Sequence, residues 1–435
     1  MFVAFCIGIV YQWYFSWRPS FPFSLPGIAL DGAREQAADV LRSAGLKKPD
    51  YYYSTDQSAE GILYKPDLAQ PGLTLVTGVG DEDRLAARVM ELDGTEIHRW
   101  DIDWFEIWPD ADHLPTRFFP KQRPGANMHG VAVLGEGDLV FNFDYLGLVR
   151  LDICGDVVWR LPYQTHHSLH VDKATGHLWV SGLRFHERAV PALPNHVPPF
   201  YEPTVLEVSP EGEILQEISV FDVLLQNDLQ GLLYMQNFND VLIGRADTTG
   251  DTLHLNDVET FPTDMEEGVF SAGDIMISLR NIHSVFVFDP ESKAIIYSNI
   301  GGFSAQHDPD FIDGNTISVF DNNFVSGEQA PQESKVVIFD ALADQSEVYY
   351  RGTEENPFYT YKMGKNQWLP NGNLLLTEST KGRAFEVDPS GDVVWQFVNL
   401  VEEPGWVGLI DEAQRLPAPY DRSFFEGKRS RCQVS

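Results

Sequence analysis

The amino-acid sequence predicts an all-β protein, a six-bladed β-propeller, on three observations. Beyond residue 70 the chain consists of short β-prone runs separated by Gly, Asp and Asn, which are common turn residues. A hairpin-like phrase recurs six times at spacings of 48 to 80 residues. A second phrase precedes most copies, so each unit holds about four strands in two hairpins. Repeated four-stranded units close radially into a propeller, whereas a β-helix has a much shorter period.

The recurring phrase is an aliphatic residue, an acidic or small polar residue, a turn, and an aliphatic pair that ends near an aromatic residue. Its copies are residues 91–100, 151–159, 208–215, 288–297, 339–349 and 387–395. The second phrase is a turn followed by an aliphatic strand, found at residues 137–141, 176–180, 273–277, 314–318 and 372–376. Turn residues between apolar runs are typical of β-hairpins.

The N-terminal region differs from the repeats. Residues 1–17 carry no charge, are slightly shorter than the roughly 20 residues of a membrane span, and lack the cleavage site of a signal peptide. We interpret them as a membrane anchor or truncated signal-anchor, with a buried helix as the alternative. Residues 18–70 are expected to form a linker or stalk with a short helix at 31–46. The propeller should occupy 71–415, followed by a tail at 416–435.

Charge and cysteine content limit the partners and the compartment. A net charge of −33 excludes nucleic acid and anionic membrane surfaces as general partners, because both would be repelled. Any membrane contact is therefore expected through residues 1–17. The acidic exterior suits an extracytoplasmic setting, periplasmic or at the cell surface. Of the three cysteines, Cys154 and Cys432 could pair in an oxidising compartment. The sequence leaves oligomerisation open.

Histidines recur where a loop leads into a β-prone run. In a propeller the innermost strand of each blade lines the central channel, and the loops leading into these strands form one mouth. We therefore expect one site built from related positions of successive blades: His129, His166 or His167, His254, His307, and the pair Asn366 and Gln367. Arg280 follows the strand at 275–278 and should lie near the channel on the blade of His254.

These residues, in this order on six repeats, resemble the arylsulfate sulfotransferase (ASST) family, whose cofactor-independent catalytic domain is a six-bladed propeller. The resemblance covers about residues 70 to 415. It rests on short stretches at residues 166–170, 254–257, 278–280, 306–308, 320–322 and 371–374.

The resemblance implies transfer of a sulfuryl group from an aryl sulfate to a phenol, without cofactor or metal. His307 matches the family's catalytic histidine, which carries the group as a sulfohistidine. His254 and Arg280 match its supporting residues. Either His166 or His167 matches a third one, and the doubled histidine leaves open which of the two it is.

Other residues of the expected site have no role in the resemblance. His129, Asn366 and Gln367 are expected to contact the substrate because of their repeat positions. The chain also departs from the best-known members: the stretch before the first blade is too short for their N-terminal β-sandwich domain. The N-terminal cysteine pair of some members is missing as well.

The residues alone leave several alternatives open. A propeller of this kind could only bind a ligand or a protein, since fold does not determine function, or could be a metal-dependent hydrolase or lactonase. The histidines could bind zinc, although no pair has helical or knuckle spacing. Arg280 could merely pair with Asp257 or Asp308. The segment Asp308–Asp310 is expected to be a turn and not a calcium site.

Overall fold

The computed structural model describes residues 51–55, 61–194, 196–234, 251–325, 332–401 and 404–433. The predicted anchor at 1–17 and the predicted helix at 31–46 lie outside these residues. Among the described helices, none has the length and apolar character needed to cross a lipid bilayer.

Within the described residues the chain is mostly β and forms six antiparallel blades, preceded by strands β1 (Tyr52–Ser54) and β2 (Ile62–Tyr64). Blade 1 begins with β3 (Thr74–Val79), β4 (Leu85–Met90) and β5 (Glu96–Ile102). Blade 2 consists of β6 (Met128–Leu134), β7 (Asp138–Phe143), β8 (Gly147–Leu151) and β9 (Val157–Leu161). Blade 3 consists of β10 (Thr165–Val171), β11 (Leu178–His186), β12 (Phe200–Val208) and β13 (Ile214–Ser219).

The later blades repeat this order. Blade 4 consists of β14 (Leu255–Thr260), β15 (Ile275–Leu279), β16 (Ser284–Phe288) and β17 (Ile295–Ile300). Blade 5 consists of β18 (His307–Phe311), β19 (Thr316–Asp321), β20 (Lys335–Asp340) and β21 (Gln345–Arg351). Blade 6 consists of β22 (Lys365–Trp368), β23 (Leu374–Glu378), β24 (Arg383–Val387) and β25 (Val393–Val398). The last strands are β26 (Trp406–Gly408) and β27 (Ile410–Arg415).

The ring is closed by the last strand. β27 pairs with β3, from Ile410 opposite Gly78 to Arg415 opposite Thr74, and becomes the innermost strand of blade 1. The innermost strands β6, β10, β14, β18, β22 and β27 contact one another in turn, and β27 returns to β6. The predicted six-bladed propeller is therefore confirmed, with a central channel lined by these strands.

Two short strands before the propeller are attached to it. β2 pairs with β25 as a fifth, outer strand of blade 6, and β1 pairs with β26. Both belong to the segment interpreted above as a linker, so part of that segment is held against the propeller.

Within the described ranges, three short α-helices lie between and after the strands: α1 (Trp104–Ile107), α2 (Val220–Gln226) and α3 (Arg422–Arg429). Side chains between neighbouring blades form the core, and the fully buried Phe425 of α3 joins the cluster that contains Trp100 and Phe141. Cys154 and Cys432 form a disulfide, as the sequence allowed. The C-terminal segment is thereby fastened to blade 2.

Single 3₁₀ turns occur at Asp81–Asp83, Thr116–Phe118, Gln230–Tyr234, Arg280–Ile282, Ser379–Lys381 and Ser430–Gln433.

Candidate functional site

Irregularities in the innermost strands position the histidines. The pairing register shifts after His129 in β6, after His166 in β10 and after His307 in β18. The next residues, Gly130, His167 and Asp308, have positive φ values of 56°, 55° and 46°. A β-bulge at this position bends the strand and redirects its side chains, and bulges are frequent beside functional sites.

Five histidines meet at one end of the channel, and all are buried. His167 is the central ring. Its centroid lies 4.4 Å from His129, 4.7 Å from His254, 5.0 Å from His166 and 6.0 Å from His307. The structure thus brings together the histidines expected from the repeats, and both members of the doubled pair are present.

His254 is held by an acid and shares a contact with His167. Its Nδ1 donates to Asp251 Oδ2 at 2.7 Å, and the hydroxyl of Tyr145 lies 3.1 Å from the same nitrogen. Although burial opposes ionisation, the interactions with His254 lower the pKa of Asp251 to about 2. His254 Nε2 lies 3.2 Å from His167 Nε2. One of these two nitrogens must carry a proton for the contact to be attractive.

His307 is held in one tautomer by Asn322. The Asn322 amide donates to the carbonyl oxygens of Thr360 and Met363 at 2.8 and 2.7 Å, so its Oδ1 is an acceptor. His307 Nδ1 donates to that oxygen at 2.7 Å and also lies 3.1 Å from Ala305 O. His307 Nε2 therefore carries a lone pair.

That nitrogen is buried and has no hydrogen-bond partner among the described residues. Burial, followed by the positive charge of Arg280, holds the pKa of His307 well below its usual range. A neutral imidazole with an unused lone pair is available to react.

Arg280 brings a cation to the cluster. It follows β15, and its Nε and Nη2 donate to Asn281 Oδ1 at 3.2 and 3.1 Å. In the described part of the chain it forms no ion pair with a carboxylate, and the alternative pairing with Asp257 or Asp308 is absent. Burial lowers the pKa of Arg280, but the guanidinium stays charged at neutral pH.

A family model described as arylsulfotransferase (ASST) matches residues 129–400, from the first histidine of the cluster through β25 of blade 6. The chain belongs to the arylsulfotransferase family. The match includes all five clustered histidines and Arg280. A search of curated proteins gave no match to this chain.

Solved structures that match this chain share little sequence identity with it. A protein of unknown function from Bacteroides caccae is 13% identical, with a TM-score of 0.48, over 79% of this chain and 98% of that one. A virginiamycin B lyase from Staphylococcus aureus is 11% identical, with a TM-score of 0.34, over 64% and 71% of the two chains. Neither similarity supports an argument about activity.

A pocket of about 410 Å³ opens next to the histidine cluster. Asp144 and Tyr145 belong to both the pocket wall and the cluster, since the Tyr145 ring stacks on His166 at 4.8 Å. Phe118 and Tyr201 add aromatic surface to the same pocket. The pocket can therefore accept an aromatic ring beside the imidazoles.

Four polar residues of the site were not expected from the sequence: Asp144, Tyr145, Asp251 and Asn322. Asp144 Oδ1 lies 3.5 Å from His129 Nδ1 and 3.4 Å from His167 Nδ1. Despite burial, these two histidines hold the pKa of Asp144 well below its usual value. Asp144 and Asn322 each directly follow the second strand of a blade, β7 and β19, and this shared position was a usable signal.

The structure does not bring Asn366 and Gln367 to the histidines. The Gln367 side chain bonds to the backbone of Arg415 through both of its polar atoms. Asn366 donates to Asp308 Oδ2 from its backbone at 2.5 Å, in the other half of the channel. Lys365 lies in that half as well, 2.5 Å from Asp308 and 3.3 Å from Asp257.

This other half is acidic. Besides the two acids that contact Lys365, the cavity of about 330 Å³ is lined by Glu259, Asp310 and Glu412. Burial is the largest cause that raises the pKa of each of these three carboxyls. An anion would be disfavoured here, so the histidine end is the candidate site for a sulfate ester.

Proposed function

We propose that this protein transfers a sulfuryl group from an aryl sulfate to a phenolic acceptor through a covalent intermediate on His307 Nε2. The observation that carries the proposal is the state of this nitrogen, which is buried, unprotonated and without a partner among the described residues. Such an atom is costly to bury unless a ligand uses it.

In the first half-reaction the His307 lone pair attacks sulfur. An N–S bond forms, the S–O bond to the aryl group breaks, and the electron pair leaves with the phenol oxygen. The proton held between His254 Nε2 and His167 Nε2, 3.2 Å apart, passes to that oxygen. The products are a free phenol and a sulfohistidine.

The second half-reaction reverses these steps with a new phenol. Its hydroxyl returns a proton to the His254 and His167 pair, its oxygen attacks sulfur, and the N–S bond breaks. His307 regains its lone pair, and an aryl sulfate leaves. Kinetics of the ping-pong type follow because the first phenol departs before the second one reacts.

Arg280 would stabilise the charge of the sulfuryl group in both half-reactions. Sulfuryl transfer is expected to resemble phosphoryl transfer, with a loose transition state and negative charge on three equatorial oxygens. The planar guanidinium can donate two parallel hydrogen bonds to such oxygens, which a lysine cannot do. Its contact with Asn281 Oδ1 orients it without neutralising it.

An extracytoplasmic location, with residues 1–17 as a membrane tether, is part of the proposal. It is supported by the disulfide between Cys154 and Cys432, because such bonds persist in oxidising compartments.

The test uses a chromogenic aryl sulfate with and without added phenol, followed by the release of the coloured aryl alcohol. His307→Ala should reduce the rate at least about 1000-fold, because the covalent step is lost. His170→Ala is a matched control, since His170 lines the acidic cavity in the other half of the channel and should leave the rate unchanged.

Mass spectrometry after brief exposure to the donor tests the intermediate directly. The wild type should gain one SO₃ group and His307→Ala should gain none. An adduct that persists in His307→Ala, or turnover in the wild type without any adduct, would contradict the proposed nucleophile.

A further inference from the structure

Three ligand-type atoms face each other beside the proposed nucleophile. His129 Nδ1, His167 Nδ1 and a carboxylate oxygen of Asp144 all lie within 4.8 Å of one another. Neither His129 Nδ1 nor Asp144 Oδ1 has a hydrogen-bond partner among the described residues, although both are buried. These two buried atoms are 3.5 Å apart and make no hydrogen bond within the described part of the chain, which leaves their ligand positions available to an ion.

Two of the three separations between these atoms match those around a tetrahedral metal ion, and the third is within 4.8 Å. With bonds of about 2.0–2.1 Å, the ligand atoms of tetrahedral zinc lie about 3.3–3.4 Å apart. Asp144 Oδ1 is 3.5 Å from His129 Nδ1 and 3.4 Å from His167 Nδ1. Two imidazoles and one carboxylate are a common donor set for zinc and for other first-row transition metals.

The backbone holds this arrangement in place. Asn142 Nδ2 donates to the carbonyl oxygens of His167 and Ser168 at 3.1 and 3.3 Å, which ties β7 to β10. A side chain at Gly130 would come within 2.2 Å of His167 O, so only glycine lets the two strands approach this closely. Asp144 is fixed by the hydrogen bond from its backbone N–H to Asn127 O at 3.1 Å. The ligands are therefore set before an ion arrives.

The position is also reachable. Asp144 lines the pocket of about 410 Å³, so a hydrated ion can enter from that pocket and keep water or another ligand in a remaining coordination position. His166 Nδ1 lies 2.9 Å from His167 Nδ1 and donates to it when that atom carries a lone pair. A metal ion needs the same lone pair and would replace this hydrogen bond.

We propose that His129, Asp144 and His167 form a binding site for a divalent transition-metal ion of the zinc class. His167 is shared with the site of sulfuryl transfer: an ion on its Nδ1 fixes the proton of this imidazole on Nε2, so His167 can no longer accept a proton in the exchange with His254. Zinc should therefore inhibit transfer reversibly. This second statement rests on the proposed function, whereas the binding site itself does not.

Calorimetric titration of the chelator-treated full-length protein with zinc chloride tests the site. One ion should bind per chain, and His129→Ala and Asp144→Asn should each weaken binding at least about 100-fold. His177→Ala is the matched control, because His177 also faces a carboxylate, that of Glu207 at 2.7 Å, but lies outside the site. Its affinity for zinc should equal that of the wild type. Magnesium should not bind, since it prefers oxygen ligands.

Circular dichroism establishes that each variant is folded, and anomalous scattering from zinc-soaked crystals locates the ion whether or not a variant is stable. Absence of tight binding to the wild type, or binding that both His129→Ala and Asp144→Asn retain, would overturn the site. His307→Ala should lose sulfuryl transfer but keep its zinc affinity. The titration therefore tests the metal site even if the transfer assay fails. Zinc that accelerates turnover would overturn the proposed inhibition.

Discussion

Replacing Asn322 by leucine tests how the fold prepares His307 for attack. Asn322 accepts the proton of His307 Nδ1 at 2.7 Å, and leucine of similar size would remove this acceptor. Ala305 O, at 3.1 Å from the same nitrogen, remains as a weaker acceptor. The imidazole therefore keeps its place, but its favoured tautomer is less strongly stabilised.

The expected size of the effect follows from the charge that develops on the ring. A hydrogen bond between neutral groups stabilises by about 0.5–1.5 kcal/mol, and one to a charged group by about 1.5–3 kcal/mol. As the N–S bond forms, His307 becomes positively charged and the bond to Asn322 strengthens by about 1–1.5 kcal/mol. Only this increase affects the chemical step. Sulfohistidine formation should therefore slow about tenfold.

Stability should fall for a separate reason. The leucine cannot donate to Met363 O, and leaving this buried carbonyl without a donor lowers the stability of the fold by about 1–3 kcal/mol. Thr360 O still accepts a hydrogen bond from Ser334 Oγ at 3.2 Å. Asn399→Leu is the matched control, because Asn399 donates in the same way to Val79 O and Gly408 O. It should lose similar stability and keep the rate.

The assay is a stopped-flow burst of aryl alcohol, which reports the formation of sulfohistidine. An unchanged burst rate in Asn322→Leu would refute the reasoning. So would an equal slowing in Asn399→Leu, because the effect would then come from loosened packing.

Two further predictions concern stability. His98 lies between Trp100 and Phe425, at ring distances of 4.2 and 5.6 Å, and burial followed by the charge of Arg429 lowers its pKa to about 4. The folded state binds this proton less readily than the unfolded state, so up to about 3 kcal/mol of stability should be lost as the pH falls from about 6.5 to 4. Urea unfolding at pH 7 and pH 4 measures this loss of unfolding free energy, which should be smaller in His98→Phe than in the wild type by that amount. Equal losses in the two proteins would show that His98 is not the group responsible. The disulfide between Cys154 and Cys432 spans 278 residues, and the chain-entropy account gives it about 5 kcal/mol. Reductant, or serine at both positions, should lower the melting temperature to the same value, and no change would contradict this contribution.

The sequence predicted the blades because each hairpin carries its own turn residues and apolar runs. It did not predict how the ring closes, since β27 has no partner strand next to it in the chain. Its partner β3 lies more than 300 residues earlier. The attachment of β1 and β2 was missed for the same reason.

The site was predictable where a single residue type marked it. The histidines were found because they precede β-prone runs. Asp144, Asp251 and Asn322 were missed because no sequence pattern showed that they would contact these histidines. Asn366 and Gln367 were expected beside His307 from the alignment of the repeats.

Strand pairing explains why Asn366 and Gln367 do not lie beside His307. Lys365 pairs with Thr377 in the register in which His307 pairs with Phe320. β22 lacks the bulge that follows His307, and a bulge cannot be seen in a repeat pattern.

Closure of the ring by β27 also determines when the protein becomes competent during its synthesis. His129 lies on β6, and β27 is the strand that finally packs beside β6, so the nascent chain exposes an open spiral until Arg415 has left the ribosome. Until then blade 2, which carries His129 and Asp144, lacks β27 beside it. Truncating the chain within its last blade should therefore abolish activity by unzipping the ring, even though every residue of the histidine cluster would still be present.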